Sequence, residues 1–75
     1  MNSTQLFNQL DKLGFFLVQR KGDEGKYWFV GDVRTHNGYN CRNLAEVKSL
    51  LQALRSQAEN GGGIVHDGSE WIVVD

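Results

Sequence analysis

Lys26-Tyr27-Trp28-Phe29-Val30-Gly31-Asp32-Val33-Arg34 forms the central strand around which the rest of the chain is expected to pack. Aromatic and β-branched residues crowd it, and these side chains fit a pleated, half-buried surface. In an extended chain, neighbours point to opposite sides, so Tyr27, Phe29 and Val33 share one face while Trp28 and Val30 share the other. Both faces are therefore apolar. Helices lying on one side of such a strand cover only one set, and a bulge near Gly31 is the one local device that could re-aim the rest.

Phe15-Phe16-Leu17-Val18-Gln19-Arg20 reads as a preceding strand, joined through the polar stretch Lys21–Gly25. On the other side, Asn37-Gly38 is a strong hairpin signal because both turn positions want positive φ. A tight reversal there pairs His36 with Tyr39, Thr35 with Asn40 and Arg34 with Cys41. Asn43 then opens the longest helix in an Asn-x-x-Glu capping pair with Glu46. Leu44, Val47, Leu50, Leu51, Leu54 and Ala58 form its apolar stripe, and Asn60-Gly61-Gly62-Gly63 ends it.

A shorter helix over residues 3–13 is predicted at the start, with Leu6, Phe7, Leu10 and Leu13 at helical spacing. Asn2, Ser3 or Thr4 caps it and Gly14 stops it. At the other end, Ile64–His66 and Glu70–Val74 flank a turn containing Asp67-Gly68, a second hairpin. The order is α-β-β-β-α-β-β. The expected fold is an α+β two-layer sandwich, an antiparallel sheet of three to five strands with two helices on one face.

Length and composition bound the rest. Seventy-five residues suit one domain over 1–75, and eight aromatic residues give so short a chain enough area to bury. Cys41 is the single cysteine, so an intramolecular disulfide and a four-cysteine zinc site are both excluded. Met1–Gln5 carry no basic start and no apolar signal core, and no run is long enough to span a membrane, so a cytoplasmic location is expected. The net charge of −1 writes no general attraction to nucleic acid or to anionic lipid into the chain.

Catalytic and metal chemistry find little to stand on. His36, Cys41 and His66 lack the short paired spacings of a zinc site, and no cofactor is implied. Gly61-Gly62-Gly63 follows a helix rather than a strand and lacks the Lys-Ser/Thr pair of a phosphate loop. The order helix, three strands, helix is similar to that of double-stranded-RNA-binding domains. Where those carry a lysine cluster at the start of the second helix, this chain has Asn43-Leu44-Ala45-Glu46. Lys26-Tyr27-Trp28-Phe29-Val30 also resembles the aromatic strand of RNA-recognition motifs, without that motif's glycines.

The expectation is a small non-catalytic protein-binding module: an adaptor, accessory factor or inhibitor of a larger protein. Its expected contact residues are Trp28, Arg34, His36, Tyr39 and Arg42, because aromatic and arginine side chains dominate interface centres. Helices on the Trp28 side would instead expose Tyr27, Phe29 and Val33. Nucleic-acid binding is the alternative, disfavoured by net charge and requiring Arg34 and Arg42 to join Arg20, Lys21 and Lys26 in one positive stripe. Self-association as a homodimer through Trp71–Val74 is a third reading.

Overall fold

A computed structural model describes residues 1–74. Its order is α1 (Ser3–Lys12), β1 (Phe15–Gly22), β2 (Gly25–Asp32), β3 (Gly38–Cys41), α2 (Leu44–Asn60), β4 (Gly63–Asp67) and β5 (Glu70–Val74). The strands form two antiparallel sheets, β1-β2-β3 and β4-β5. This is the expected α+β arrangement, with the strands divided three and two.

Both helices start on asparagine caps. Asn2 and Gln5 form a complete capping box at α1, each side chain accepting the other's backbone N–H. At α2 only half of the expected box forms. Asn43 accepts the Glu46 N–H at 2.9 Å, but the Glu46 carboxylate turns away to Arg42. Gly14 ends the first helix at φ 87°, a left-handed conformation that a β-carbon would strain.

The core lies between the helices and one face of the three-stranded sheet. Leu6 and Leu10 of α1 and Val47, Leu50, Leu51 and Leu54 of α2 pack on Leu17, Val30 and Cys41. Burying each such side chain contributes about 1.5–3 kcal/mol. On α2, Ala58 is exposed while Ala53 is buried, so the apolar stripe stops a turn earlier than the sequence pattern suggests.

The β2–β3 connection departs from the sequence reading. Asn37-Gly38 is not a two-residue hairpin turn. Gly38 pairs with Gly31, Tyr39 with Val30 and Cys41 with Trp28, so β2 ends at Asp32 and residues 33–37 form a loop. The Asp32 carboxylate organises that loop by accepting the Arg34 N–H at 2.7 Å and the Thr35 N–H at 3.3 Å. His36 takes the positive φ. The expected register would have set Arg34 beside Cys41 on the core face, where a guanidinium is costly to desolvate. The observed register puts Trp28 and Val30 there instead.

Gly31 and Gly38 make that pairing possible. A β-carbon on Gly31 would overlap the Phe16 and Phe29 rings, and one on Gly38 would overlap the Val30 carbonyl and the Gly31 backbone. Rings on an open face can swing aside, whereas backbone cannot. Gly38→Ala is therefore expected to cost more than Gly31→Ala, with the latter near the usual overpacking range of about 1–3 kcal/mol. Trp28→Ala, which removes a side chain packed against the core, should cost about 3–5 kcal/mol. Urea denaturation of the three variants checks the ranking, and equal stability of Gly38→Ala and wild type would refute the close approach.

Candidate functional site

Alternation along the paired strands sorts the sheet into two surfaces. Leu17, Trp28, Val30, Tyr39 and Cys41 face the helices. Phe16, Val18 and Arg20 of β1, Tyr27 and Phe29 of β2, and Asn40 of β3 face away from them. The β1–β2 register runs without a break from Phe15 to Gly22, so no bulge at Gly31 re-aims any of these side chains.

The outer surface has its own order. The Phe16 and Phe29 rings meet with centroids 5.8 Å apart, and the Arg20 guanidinium lies 4.1 Å above the Phe29 centroid. This cation–π contact holds the charge flat against the sheet. Among the described residues Arg20 has no carboxylate partner. None of the described Asp or Glu residues belongs to this face, where Gly31 and Gly38 leave a low floor under the Phe29 ring.

The expected contact residues are not gathered here. Trp28 and Tyr39 are half-buried on the opposite, helix-covered side, packed against the core. Arg34 and His36 are exposed, but they sit in the β2–β3 loop rather than on a strand. That loop follows Asp32, which pairs with Phe15. Phe15 is five residues, roughly 17 Å, along β1 from Arg20. Lys21 and Lys26 face each other at the far end beside Asp23 and Glu24, and Arg42 is held by a carboxylate. The basic residues thus do not line up as one stripe. Of Tyr27, Phe29 and Val33, expected to be exposed if the helices lay on the Trp28 side, Tyr27 and Phe29 share the outer face with Phe16, Val18 and Arg20, while Val33 lies in the loop after β2. Their signal was the period-two pattern of β2, read with the other face covered.

Arg42 belongs to a second cluster that docks the β4–β5 hairpin. Its Nε donates to Glu46 Oε2 at 2.6 Å and its guanidinium donates to the Gly68 carbonyl at 3.1 Å. His66 Nε2 lies 3.3 Å from Glu46 Oε1. Glu46 is only 3% exposed, and burial alone would raise its carboxyl pKa. The Arg42 hydrogen bonds and charge outweigh that burial and hold it below the usual carboxylate range. Trp71 completes the junction, with Tyr39 at 5.1 Å, His66 at 4.9 Å and its backbone N–H donating to Ser49 Oγ at 3.0 Å. Among the described residues its buried indole Nε1 has no hydrogen-bond partner within normal reach, and it sits by the Cys41 sulfur. Desolvation pushes the Cys41 thiol up to about 11, against a smaller opposing pull from that indole.

Among the described residues no group of three His, Cys, Asp or Glu side chains is placed to hold one metal ion, and no helix is long and apolar enough to cross a membrane. No protein-family model, curated protein or solved structure matches this chain.

Two pH-linked outcomes follow from the junction. A Glu46 carboxyl titrating below its unfolded value stabilises the fold at neutral pH, and that contribution is lost as pH falls below about 4.5. Glu46→Gln should lower stability at pH 7 by about 1–3 kcal/mol and flatten this acid limb. Cys41 should resist thiol reagents at pH 8 until the chain unfolds, since the thiolate is the reacting form. Fast labelling of native protein would contradict the buried thiol.

Proposed function

We propose that this chain is a non-catalytic protein-binding module that reads a partner through the uncovered face of its three-stranded sheet. The carrying observation is the pairing of an apolar Phe16–Val18–Tyr27–Phe29 surface with an Arg20 guanidinium that no carboxylate among the described residues neutralises. A stacked arginine on an aromatic surface is the composition of an interface centre. Charge complementarity then fixes the partner's chemistry. The partner presents apolar side chains together with an Asp or Glu that reaches Arg20, since the face itself offers no negative charge to repel it.

The scattering of Arg20, Lys21, Lys26, Arg34 and Arg42 favours protein over nucleic acid. Continuous strand binding needs cations along one track, so that successive phosphates are met together. Here a single guanidinium accompanies the aromatic rings. Adaptor, accessory and inhibitor roles all use a surface of this kind, and the role is set by the partner.

Selection from a random displayed-peptide library tests the proposal without knowledge of the natural partner. Enriched peptides should combine a large apolar residue with a nearby Asp or Glu. Their amide-shift perturbations should fall on Phe16, Val18, Tyr27 and Phe29. Arg20→Glu should weaken binding at least tenfold, about 1.4 kcal/mol, while leaving the fold intact. Oligonucleotides at physiological salt should show no measurable binding. Enrichment of basic peptides, or tight salt-sensitive binding of single strands, would contradict it.

A further inference from the structure

The edges of the sheets differ in what they leave open. The Val33 N–H donates to the Gly14 carbonyl at 3.0 Å, one step beyond the Phe15–Asp32 pair. That bond sets the phase of the ladder: even-numbered residues of β1 bond to β2, and the N–H and C=O groups of Phe15, Leu17, Gln19 and Lys21 point outward. No strand pairs with that edge among the described residues. The edge of β5 is different, because its Trp71 N–H is taken by Ser49 of α2. β3 is only four residues long, so β1, eight residues without proline or bulge, is the longest straight edge.

We propose that β1 pairs antiparallel with β1 of a second copy about a two-fold axis through Val18, joining two three-stranded sheets into one of six strands. For the helix-covered faces to stay on one side, partners must be residues of like parity, which centres the axis on a residue rather than between two. Centred on Val18, the register sets Val18 against Val18, Leu17 against Gln19, Phe16 against Arg20 and Phe15 against Lys21. Every outward N–H and C=O of Leu17 and Gln19 then meets its counterpart. No like charges face each other. Arg20 and Lys21, which discourage random edge pairing, meet aromatic rings instead. Val18 is 38% exposed in the single chain, apolar surface that this contact covers. Phe7, 44% exposed, lines an apolar cleft of about 280 Å³ with Leu17 and Trp28 on the inner side of the same strand.

This inference stands apart from the partner reading, though it would set two Arg20–Phe29 surfaces side by side in one sheet. Its test uses a property of a residue on a two-fold axis: it meets itself. Sedimentation velocity of the wild-type chain from micromolar to millimolar concentration should show a monomer–dimer equilibrium. Val18→Lys and Val18→Glu should each weaken dimerisation at least tenfold, through like charges at the centre, with circular dichroism unchanged. An equimolar mixture of the two should dimerise again, as a heterodimer. In the wild type, the amides of Leu17, Gln19 and Lys21 should exchange more slowly as concentration rises, while those of Val18 and Arg20 change little. A chain that stays monomeric at millimolar concentration overturns the proposal. So does a dimer that neither single variant weakens, or a mixture that fails to restore it.

Discussion

Two helices close only one side of a sheet, and in this chain that constraint governs the rest. Leu6 and Leu10 from α1 and Val47, Leu50 and Leu51 from α2 converge on Leu17, Val30 and Cys41. The side chains pointing the other way are no more polar: Phe16, Val18, Tyr27 and Phe29 are as apolar as the set that is covered. Among the described residues there is no third helix to cover them. Apolar surface left in water forgoes stabilisation of roughly 25 cal/mol per Å², and in a small fold such surface commonly marks a contact with another molecule.

The same constraint shapes the C-terminal hairpin. β4 and β5 do not extend the main sheet; they pack along α2, and Trp71 of β5 meets Tyr39 of β3. Arg42, Glu46 and His66 surround that contact with polar bonds, so a buried carboxylate joins the end of β3, the first turn of α2 and β4. The Glu46 carboxylate here trades a helix-capping role for a tertiary one. Because Arg42 is committed to this junction, its positive charge is not free to serve the outer sheet face, which leaves Arg20 as that face's charge.

Element order and type were legible in the sequence because each segment agreed with its own local signals. The α2 stripe has helical spacing, β1 and β2 are rich in aromatic and β-branched residues, and Gly14 and Gly61–Gly63 mark the helix ends. The register of β3 was not legible. Asn37-Gly38 is a strong local turn signal, but Asp32 supplies a competing side-chain-anchored turn, and the core rewards Trp28 and Val30 over Arg34 and His36 as neighbours of Tyr39 and Cys41. Which face the helices cover was equally hidden, since both faces of β2 are apolar and periodicity alone does not rank them. That choice moved the candidate surface from Trp28 and Tyr39 to Phe16, Tyr27 and Phe29. Arg20 emerged only once pairing set it beside Tyr27 and over the Phe29 ring.

The one-sided packing is tested most directly by solvent paramagnetic relaxation on the isolated chain, with a soluble neutral gadolinium chelate and side-chain-resolved NMR. If the helices cover the Trp28 side, the Phe16, Val18, Tyr27 and Phe29 side-chain signals broaden strongly with added chelate. Those of Val30, Leu50, Leu51 and the Trp28 ring broaden far less. The reverse pattern, with Trp28 and Tyr39 bleached and Phe16 and Phe29 protected, would contradict the packing and the surface derived from it.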